Sequence, residues 1–463
     1  MASAAGQSAS EGVPARRVEF LVLVCAVCCA TMCSPRRPEP PQPPRLGGAA
    51  PGDAGPIDSE ASHRADAEPT AGKDAGTESA LAERPVVPPS LARAVNLFAR
   101  DLHGEVTKQQ GSLFYSPLSV AVALTMAYGG AAGRTGEEIG KALHLDAAGI
   151  DAHAEYAELF RRLRSEPREG APELRIANRL WADKKASLLP EFLALTSDYY
   201  DAPAARLDFG ADPDAARNMI NRWVQTQTRE RIRDLLPAGS VDPATQLILT
   251  NGIYFKARWV TPFSTTNTTE QPFYVGGLKP RPVPTMSAVL SGRYAKLPDG
   301  AAIELPYFKG LGPEVSMVVV LPTKRDGIGA IERRYARGGI DELIASLKTS
   351  RIQVSMPRFR AAGRFKLKGA LMSLGIREAF GRSADFSRMF SAGARIAITD
   401  VFHEAWFETN EGGSEAAAAS GVTLGEVSDT ATPVVRVDHP FLFAIRDTAS
   451  GVVLFAGRVM DPG

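Results

Sequence analysis

The sequence predicts a single large α+β domain over residues 90–463. Helical and strand-like apolar patterns are mixed along this part of the chain, and no linker-like stretch divides it. The chain has 463 residues, and 44% of them are hydrophobic, which is enough for one large core. Several strand-like runs are apolar throughout, which indicates sheets covered on both faces.

The first elements of the domain are two helices. The first is indicated by apolar residues at helical spacing, namely Leu91, Val95, Phe98 and Leu102. The second is predicted to begin at Ser116-Pro117, because serine caps free N–H groups and proline fits the first helical position. Strands are expected in the apolar runs 246–255, 317–321, 441–445 and 452–455.

Residues 1–33 have the pattern of a bacterial-type export signal. Arg16 and Arg17 precede an apolar run over residues 20–33, which is too short to span a membrane comfortably. The run contains every cysteine of the chain, so no disulfide is expected within the domain. We expect an exported protein, either secreted or tethered to the cell envelope.

Cys33 is a candidate lipidation site, because it ends the apolar run and is followed by Ser34-Pro35. Thr31-Met32 before it departs from the small residues usual in lipoprotein signals, and Cys28 and Cys29 are equally imperfect candidates. The alternatives are a cleaved secretory signal and an uncleaved membrane anchor. Lipidation at this cysteine would attach the mature chain to a membrane through its N-terminus.

Residues 34–89 are predicted to be a disordered tether. This stretch contains twelve prolines and no Phe, Tyr or Trp, so it cannot bury enough apolar surface to fold alone.

The net charge of the whole chain is +1, which gives no indication of a nucleic-acid partner. The six histidines are scattered and the domain lacks cysteine, so we expect no metal site. We also expect no cofactor.

The stretch 411–428 can be either a loop or a strand. In a strand, alternate residues share a face, and one face is uncharged: Ser414, Ala416, Ala418, Ser420, Val422 and Leu424. Glu415 falls on the other face. Because Ala and Gly are poor strand formers, the same stretch can remain a loop. The alternatives are an alanine-rich linker and a helix over residues 414–419 capped by Ser414.

A serine hydrolase is a less favoured interpretation of the same region. Gly412-Gly413-Ser414 with His403 nearby suggests a nucleophile and a base. A G-x-S-x-G motif beginning at Gly412 would require glycine where Ala416 stands, and no carboxylate is evident to orient the histidine. We therefore expect that the chain is not an enzyme.

The ordered motifs of residues 91–462 resemble the serpin family. The matching segments include Ser116-Pro117-Leu118-Ser119, Ile220-Asn221-Arg222-Trp223, Thr250-Asn251-Gly252-Ile253-Tyr254-Phe255, Met356-Pro357-Arg358-Phe359, His403-Glu404-Ala405 and Pro440-Phe441-Leu442-Phe443. Two departures are evident. The usual glycine after Thr228 is replaced within Arg229-Glu230-Arg231, and Ala257 stands where glycine is common before Trp259.

The resemblance implies a metastable α+β serpin fold, with helices packed on a large central sheet and an exposed reactive centre loop. The loop would act as a suicide inhibitor of serine or cysteine proteases. The loop's hinge would comprise Glu411, Gly412, Gly413, Ser414, Glu415, Ala416, Ala417, Ala418, Ala419 and Ser420. Non-inhibitory serpins commonly carry bulky, charged or proline residues at the inward hinge positions, and this chain has none there. The alternative is a non-inhibitory serpin that serves as a binding module or a protease substrate.

The family spacing from Glu411 places the reactive bond between Val427 and Ser428. A valine before the bond indicates an elastase-like protease with a small apolar pocket. Counting back from Pro440 places the bond about two residues later, near Asp429. Bonds after Glu426 and Asp429 remain alternatives. Either would indicate an acid-selective protease. We expect a monomer whose partner is the target protease.

The resemblance also implies a polar latch that bridges the two strands between which the loop inserts. Ser119, Asn221 and His403 match the family positions of this latch, and Trp259 matches a position where the loop first enters the sheet. Taken alone, Ser119, Asn221 and His403 are each explained as satisfied core residues, and for His403 alone that explanation is favoured, but the three together favour the latch. A core aromatic is an equally good explanation of Trp259.

Overall fold

A computed structural model describes residues 89–145, 151–163, 172–276, 279–308, 314–391, 395–414 and 432–463. The predicted export signal, with Cys33, and nearly all of the predicted tether lie outside the described residues. So do Glu415 to Ser420 of the hinge and the candidate bonds between Glu426 and Asp429. Among the described helices, none is both long and apolar enough to cross a membrane.

The described residues form helices α1 Pro89–Val106, α2 Pro117–Gly130, α3 Gly133–Ala142, α4 Ala152–Leu163, α5 Pro190–Tyr200, α6 Pro213–Gln227, α7 Ile328–Ile344 and α8 Lys368–Ser373. The predicted start of α2 is confirmed, because the Ser116 side chain accepts a hydrogen bond from the Ser119 N–H and Pro117 follows it. Gly339 interrupts α7 with a φ of 68°, a conformation that glycine adopts without strain.

The strands are β1 Leu113–Tyr115, β2 Glu173–Asp183, β3 Ala205–Leu207, β4 Leu247–Arg258, β5 Thr268–Val275, β6 Lys279–Leu297, β7 Gly300–Pro306, β8 Val315–Pro322, β9 Lys348–Pro357, β10 Phe359–Lys366, β11 Ile398–Asn410, β12 Gly413–Ser414, β13 Val434–Arg436, β14 Phe441–Asp447 and β15 Val453–Val459. A nine-stranded sheet has the order β1-β15-β14-β8-β7-β6-β9-β13, with β5 paired to β6. A six-stranded sheet has the order β10-β11-β12-β4-β2-β3.

The main core lies between the two sheets. Helix α2 packs against β15 of the nine-stranded sheet and against β2 and β4 of the six-stranded sheet. Strands β8, β14 and β15 are buried along their whole length. They overlap the apolar runs 317–321, 441–445 and 452–455, which predict strands covered on both faces. Burial of this core is the main source of stability for the described fold.

A second, smaller core lies beneath α6, on the other face of the six-stranded sheet. Val224 of α6 packs there with Trp181 of β2, Ile248 of β4 and Phe402 of β11. The even-numbered residues of β4, and those of β11 from Asp400 onward, therefore face α6, whereas their odd-numbered neighbours face the main core. A register shift between Ile398 and Asp400 places Ile398 in the main core. A strand placed between β4 and β11 would therefore have one face toward α6 and the other toward the main core.

Candidate functional site

The site is built around the contact between β4 and β11, which we call the seam. These strands run parallel, and their register extends from Leu247 paired with Ile398 to Tyr254 paired with Trp406. Beyond that end of the seam, β12 pairs antiparallel with both strands. The first residues of the predicted hinge therefore form the start of a strand between β4 and β11.

Gly413 is required at the entrance of the seam. Its φ is 136°, and a Cβ added there would lie 2.2 Å from the carbonyl oxygen of Ala257. Both the backbone conformation and the close approach exclude a side chain. Glycine at this position therefore lets β12 fit closely against β4.

Ser414 is held by a side-chain stack at the same entrance. It is fully buried, and its hydroxyl lies 2.9 Å from the Tyr307 hydroxyl. The Trp259 ring stacks on Tyr307 with centroids 4.2 Å apart, and its indole N–H donates to the Asn410 carbonyl at 3.0 Å. Trp259 thus lies beside β12 at the end of the seam, and its predicted role in loop entry remains a prediction.

Glu411 fixes the chain just before β12. Its carboxylate accepts hydrogen bonds from Arg358, at 2.6 and 2.8 Å, and from the Thr268 hydroxyl. Its backbone carbonyl accepts from the Phe263 N–H at 2.9 Å. Although burial raises the pKa of the Glu411 carboxyl, the bonds from Arg358 and Thr268 hold it below its ordinary value.

The chain is fixed again after residue 431. Strand β13 pairs parallel with β9, and the Gln353 N–H donates to the Pro433 carbonyl at 2.9 Å. The Val437 N–H donates to the Ser355 carbonyl at 2.8 Å. Both ends of the segment 415–431 are therefore attached to sheets, one end in each sheet.

His403 and Asn251 form a polar contact across the middle of the seam. The two residues are paired in the strand register, and the His403 Nδ1 lies within hydrogen-bond distance of the Asn251 side-chain oxygen. The His403 Nε2 accepts from the Ser116 backbone N–H at 3.0 Å. Because Nε2 is an acceptor, the proton of the neutral ring lies on Nδ1 and is donated to Asn251. Burial lowers the pKa of His403 to about 3, so the ring is neutral.

The network continues from Asn251 into β2 and α2. The Asn251 amide donates to the Ser119 hydroxyl and to the Asn178 side-chain oxygen, both at 2.5 Å. The Ser119 hydroxyl is in turn 3.2 Å from the Asn178 oxygen, and the Asn178 amide donates to the Ser119 carbonyl at 3.1 Å. Each of these polar side chains is buried and has a partner, as buried polar groups require.

The structure places two of the three predicted latch residues together, but the prediction for Asn221 is wrong. Asn221 lies on α6, where its amide donates to the Leu236 carbonyl and its side-chain oxygen accepts from the Leu236 N–H, both at 2.9 Å. It fixes the chain that follows α6 and does not contact His403. The amide that bridges the seam belongs to Asn251.

Sequence reasoning missed Asn251 and Asn178, although a signal for Asn251 was present. An asparagine in the middle of the apolar run 246–255 must find a hydrogen-bond partner if that strand is buried on both faces. Asn178 gives a weaker signal, because its strand is only partly apolar. An asparagine side chain in a strand covered on both faces was therefore the sequence feature that could have identified this part of the latch.

The side chains expected for a serine hydrolase are not arranged as nucleophile and base. The Ser414 hydroxyl contacts Tyr307, and both nitrogens of His403 are engaged by Ser116 and Asn251. A catalytic serine requires its hydroxyl within hydrogen-bond reach of the base. The arrangement agrees with a structural role for both residues.

Comparisons with known proteins identify the family. The model described as Serpin (serine protease inhibitor) matches residues 93–462. An uncharacterized serpin-like protein of Thermococcus kodakarensis is 35% identical over 384 residues, which cover 82% of this chain and 86% of that protein. Leukocyte elastase inhibitor of Bos taurus is 35% identical over 383 residues, which cover 80% and 99% of the two chains.

Solved structures agree with this assignment. Serpin48 of the insect Tenebrio molitor has a TM-score of 0.73 and 28% identity, and the match covers 81% of this chain and 99% of that one. Uncleaved ovalbumin has a TM-score of 0.72 and 28% identity, covering 81% and 100%. With the two sheets, the hinge at the seam and a family match over most of the domain, the chain belongs to the serpin family.

Proposed function

We propose that this serpin is a suicide inhibitor of a serine or cysteine protease. The observation that carries the proposal is the position of β12, because Gly413 and Ser414 already pair with both strands of the seam. A loop that continues this pairing would enter the sheet as a new central strand. The small, uncharged residues that follow at inward positions, Ala416 and Ala418, support the same interpretation.

The protease would attack the loop with its own nucleophile and form an acyl-enzyme. The cut end of the loop would then extend β12 through the seam while still bound to the protease. About 15 residues at about 3.3 Å each would carry the protease on the order of 50 Å along the sheet. Displacement on this scale deforms the acyl-enzyme before water can release it.

The energy for this movement would come from the incomplete sheet. The intact chain is attached at both ends of the segment 415–431, through Glu411 on one side and β13 on the other. A cut within the segment removes this constraint and lets the inward residues pair and become buried. The uncleaved fold would therefore be metastable with respect to the cleaved one.

We further propose that the reactive bond is Val427–Ser428 and that the target is elastase-like. The valine fits a small apolar specificity pocket. The 35% identity to leukocyte elastase inhibitor of Bos taurus supports the same class of target. Cleavage after Glu426 or Asp429 would instead indicate an acid-selective protease.

A non-inhibitory serpin is the second candidate, because structures similar to this one include uncleaved ovalbumin and thyroxine-binding globulin. In that case the loop would be cut without trapping the protease. The hinge composition favours inhibition, since an inward charge or proline would hinder entry into the seam. The absence of such residues from Ser414 to Ser420 supports the first candidate.

We also propose that the chain is exported and works outside the cytoplasm. The basic pair Arg16-Arg17, the apolar run that follows and the proline-rich stretch after it support this location. A lipid on Cys33 would keep the inhibitor at the cell envelope. Mass spectrometry of the mature N-terminus would distinguish a lipidated cysteine from a cleaved soluble form.

The test of inhibition is to mix the protein with elastase-, chymotrypsin-, trypsin- and Glu-specific proteases and to separate the products on denaturing gels. We expect an SDS-stable complex with an elastase-like enzyme. The accompanying peptide should begin at Ser428 and have about 36 residues by mass spectrometry. Clean cleavage without a complex would reject inhibition and favour the non-inhibitory serpin.

A further inference from the structure

The segment that follows α6 lies over the seam. It comprises residues 228–236, which we call the return segment, and Asn221 fixes its far end to α6 through two hydrogen bonds with Leu236. Its near end continues from α6 at Thr228, whose hydroxyl donates to the Val224 carbonyl at 2.8 Å. The return segment is therefore held to α6 at both ends.

On one side, the return segment packs against β4. A Cβ added to Gly252 would lie 3.4 Å from Thr228 and 3.5 Å from Ile232, so the segment lies directly on that strand. Thr228 and Ile232 are fully buried. The hydroxyl of Thr228 also accepts from the Ile232 N–H at 3.2 Å. These contacts anchor the segment to the β4 side of the seam.

On the other side, the same segment reaches β11. The Arg231 guanidinium lies over the Trp406 ring, 4.8 Å from its centroid, which is within the range of a cation–π contact. Trp406 is paired with Tyr254 of β4 in the seam register. Arg231 thus contacts a side chain of β11, while Thr228 and Ile232 on either side of it pack against β4.

The backbone before Arg231 has an unusual conformation. Arg229 and Glu230 both have positive φ values, 49° and 63°, which non-glycine residues rarely adopt. These are the residues where the family's usual glycine is replaced. The two left-handed residues direct the chain from the end of α6 to the position where Arg231 meets Trp406.

Insertion of the loop would separate the partners of this contact. Continuing the register of β12 places residue 417 between Tyr254 and Trp406. A new strand adds about 4.8 Å to the separation of β4 and β11. A cation–π contact extends only to about 6 Å, so Arg231 and Trp406 cannot stay in contact unless the return segment leaves β4.

We propose that the Arg231–Trp406 contact holds the seam closed and sets the rate at which the loop inserts. Arg231 and Trp406 are positioning residues, because neither would touch the protease. The proposal rests on the proposed inhibitory function, since it assumes that a strand enters the seam. It adds a second contact across the seam, on the α6 side, to the His403–Asn251 latch.

The test measures opening of the seam without any protease. A fluorescein-labelled peptide with the sequence of residues 414–424 is added to the protein, and its incorporation is followed by fluorescence anisotropy. We compare Arg231→Ala, Trp406→Leu and the double variant with the unaltered protein. The control is Arg179→Ala, because Arg179 lies 4.9 Å from Trp223 of α6 and 5.2 Å from Trp181 of β2, on one side of the seam.

Each single variant should incorporate the peptide about five-fold faster, the factor that corresponds to about 1 kcal/mol of cation–π stabilisation. The double variant should be no faster than either single variant, because both remove the same contact. Arg179→Ala should leave the rate unchanged. If a variant fails to fold, Arg231→Lys and Trp406→Phe replace it, and they should give smaller accelerations.

Rates of Arg231→Ala and Trp406→Leu equal to that of the unaltered protein would overturn the proposal, as would accelerations that multiply in the double variant. Failure of the proposed inhibitory function would give a different result in these experiments. In that case the unaltered protein would neither trap a protease nor take up the peptide.

Discussion

In the proposed mechanism, single side chains on the inner face of the hinge would decide whether the seam can admit the loop. Ser414 occupies the first inward position and is fully buried against Tyr307. Ala416 would occupy the next one, between β4 and β11 on the side of the main core. An arginine there would bury a charge without a partner, which costs several kcal/mol.

We therefore expect Ala416→Arg to abolish the SDS-stable complex while the loop is still cut at the same bond. The measurement is the ratio of complexed to cleaved protein on denaturing gels. Glu415→Arg is the matched control, because in an inserted strand residue 415 would be on the opposite face, and it already carries a charge. Trapping by Ala416→Arg at the wild-type ratio would show that this hinge does not enter the sheet.

At the scale of the strands, the register of β12 identifies the residue that would meet the latch. Extending the pairing by six residues places Ser420 between His403 and Asn251, on the same face as Ser414. His403 donates from Nδ1 and the Asn251 oxygen accepts, so separating them leaves one donor and one acceptor without partners. A hydroxyl both accepts and donates, and Ser420 can satisfy both groups.

Ser420→Ala should therefore destabilise the cleaved, inserted form by about 1 to 3 kcal/mol, the cost of unsatisfied buried groups. The uncleaved form should keep its stability, because its latch is intact. Thermal unfolding of both forms measures the difference. Ser420→Thr keeps the hydroxyl and should behave like the unaltered protein, and an equal effect of Ser420→Ala on both forms would contradict this register.

The latch also predicts how stability depends on pH. Burial lowers the pKa of His403 to about 3, whereas an unfolded histidine has a pKa of about 6.5. Below about pH 6.5 the unfolded state binds a proton that the folded state excludes, so stability falls as pH decreases. The loss should be on the order of 2 kcal/mol for this histidine between pH 6.5 and 5.

His403→Gln should reduce that pH dependence, because glutamine does not titrate. Denaturant unfolding of the uncleaved protein at pH 7, 6 and 5 measures the slope. Burial also lowers the pKa of His103 to about 3, so the variant should retain part of the dependence. An unchanged slope in His403→Gln would mean that the latch is not the source of the acid sensitivity.

Helix and strand positions that depend on neighbouring residues could be predicted from the sequence. The hydrogen-bond pairs within the latch could not. Ser116 and Pro117 define the start of α2 because capping depends on neighbours along the chain. The role predicted for Asn221 was wrong because this side chain bonds to Leu236, fifteen residues later, which only the folded chain brings beside it. Asn251 and His403 meet only because β4 and β11 pair in one register.

The whole molecule should become more stable when the loop is cut. Insertion adds a strand to the six-stranded sheet, and about ten additional backbone hydrogen bonds at about 1 kcal/mol each give on the order of 10 kcal/mol before the entropy of ordering is subtracted. We expect a clear rise in the thermal unfolding midpoint after cleavage. A midpoint that does not rise would place the chain with serpins whose loop stays outside the sheet.

The arrangement of β14 and β15 determines what happens to the chain after the cut. Both strands lie on the C-terminal side of the candidate bonds and are buried throughout, and β15 also pairs with β1 from the start of the domain. The severed piece cannot diffuse away while the nine-stranded sheet is intact. The spent protein should thus persist as a nicked heterodimer of two polypeptides from one gene, with an unchanged sedimentation coefficient apart from any attached protease.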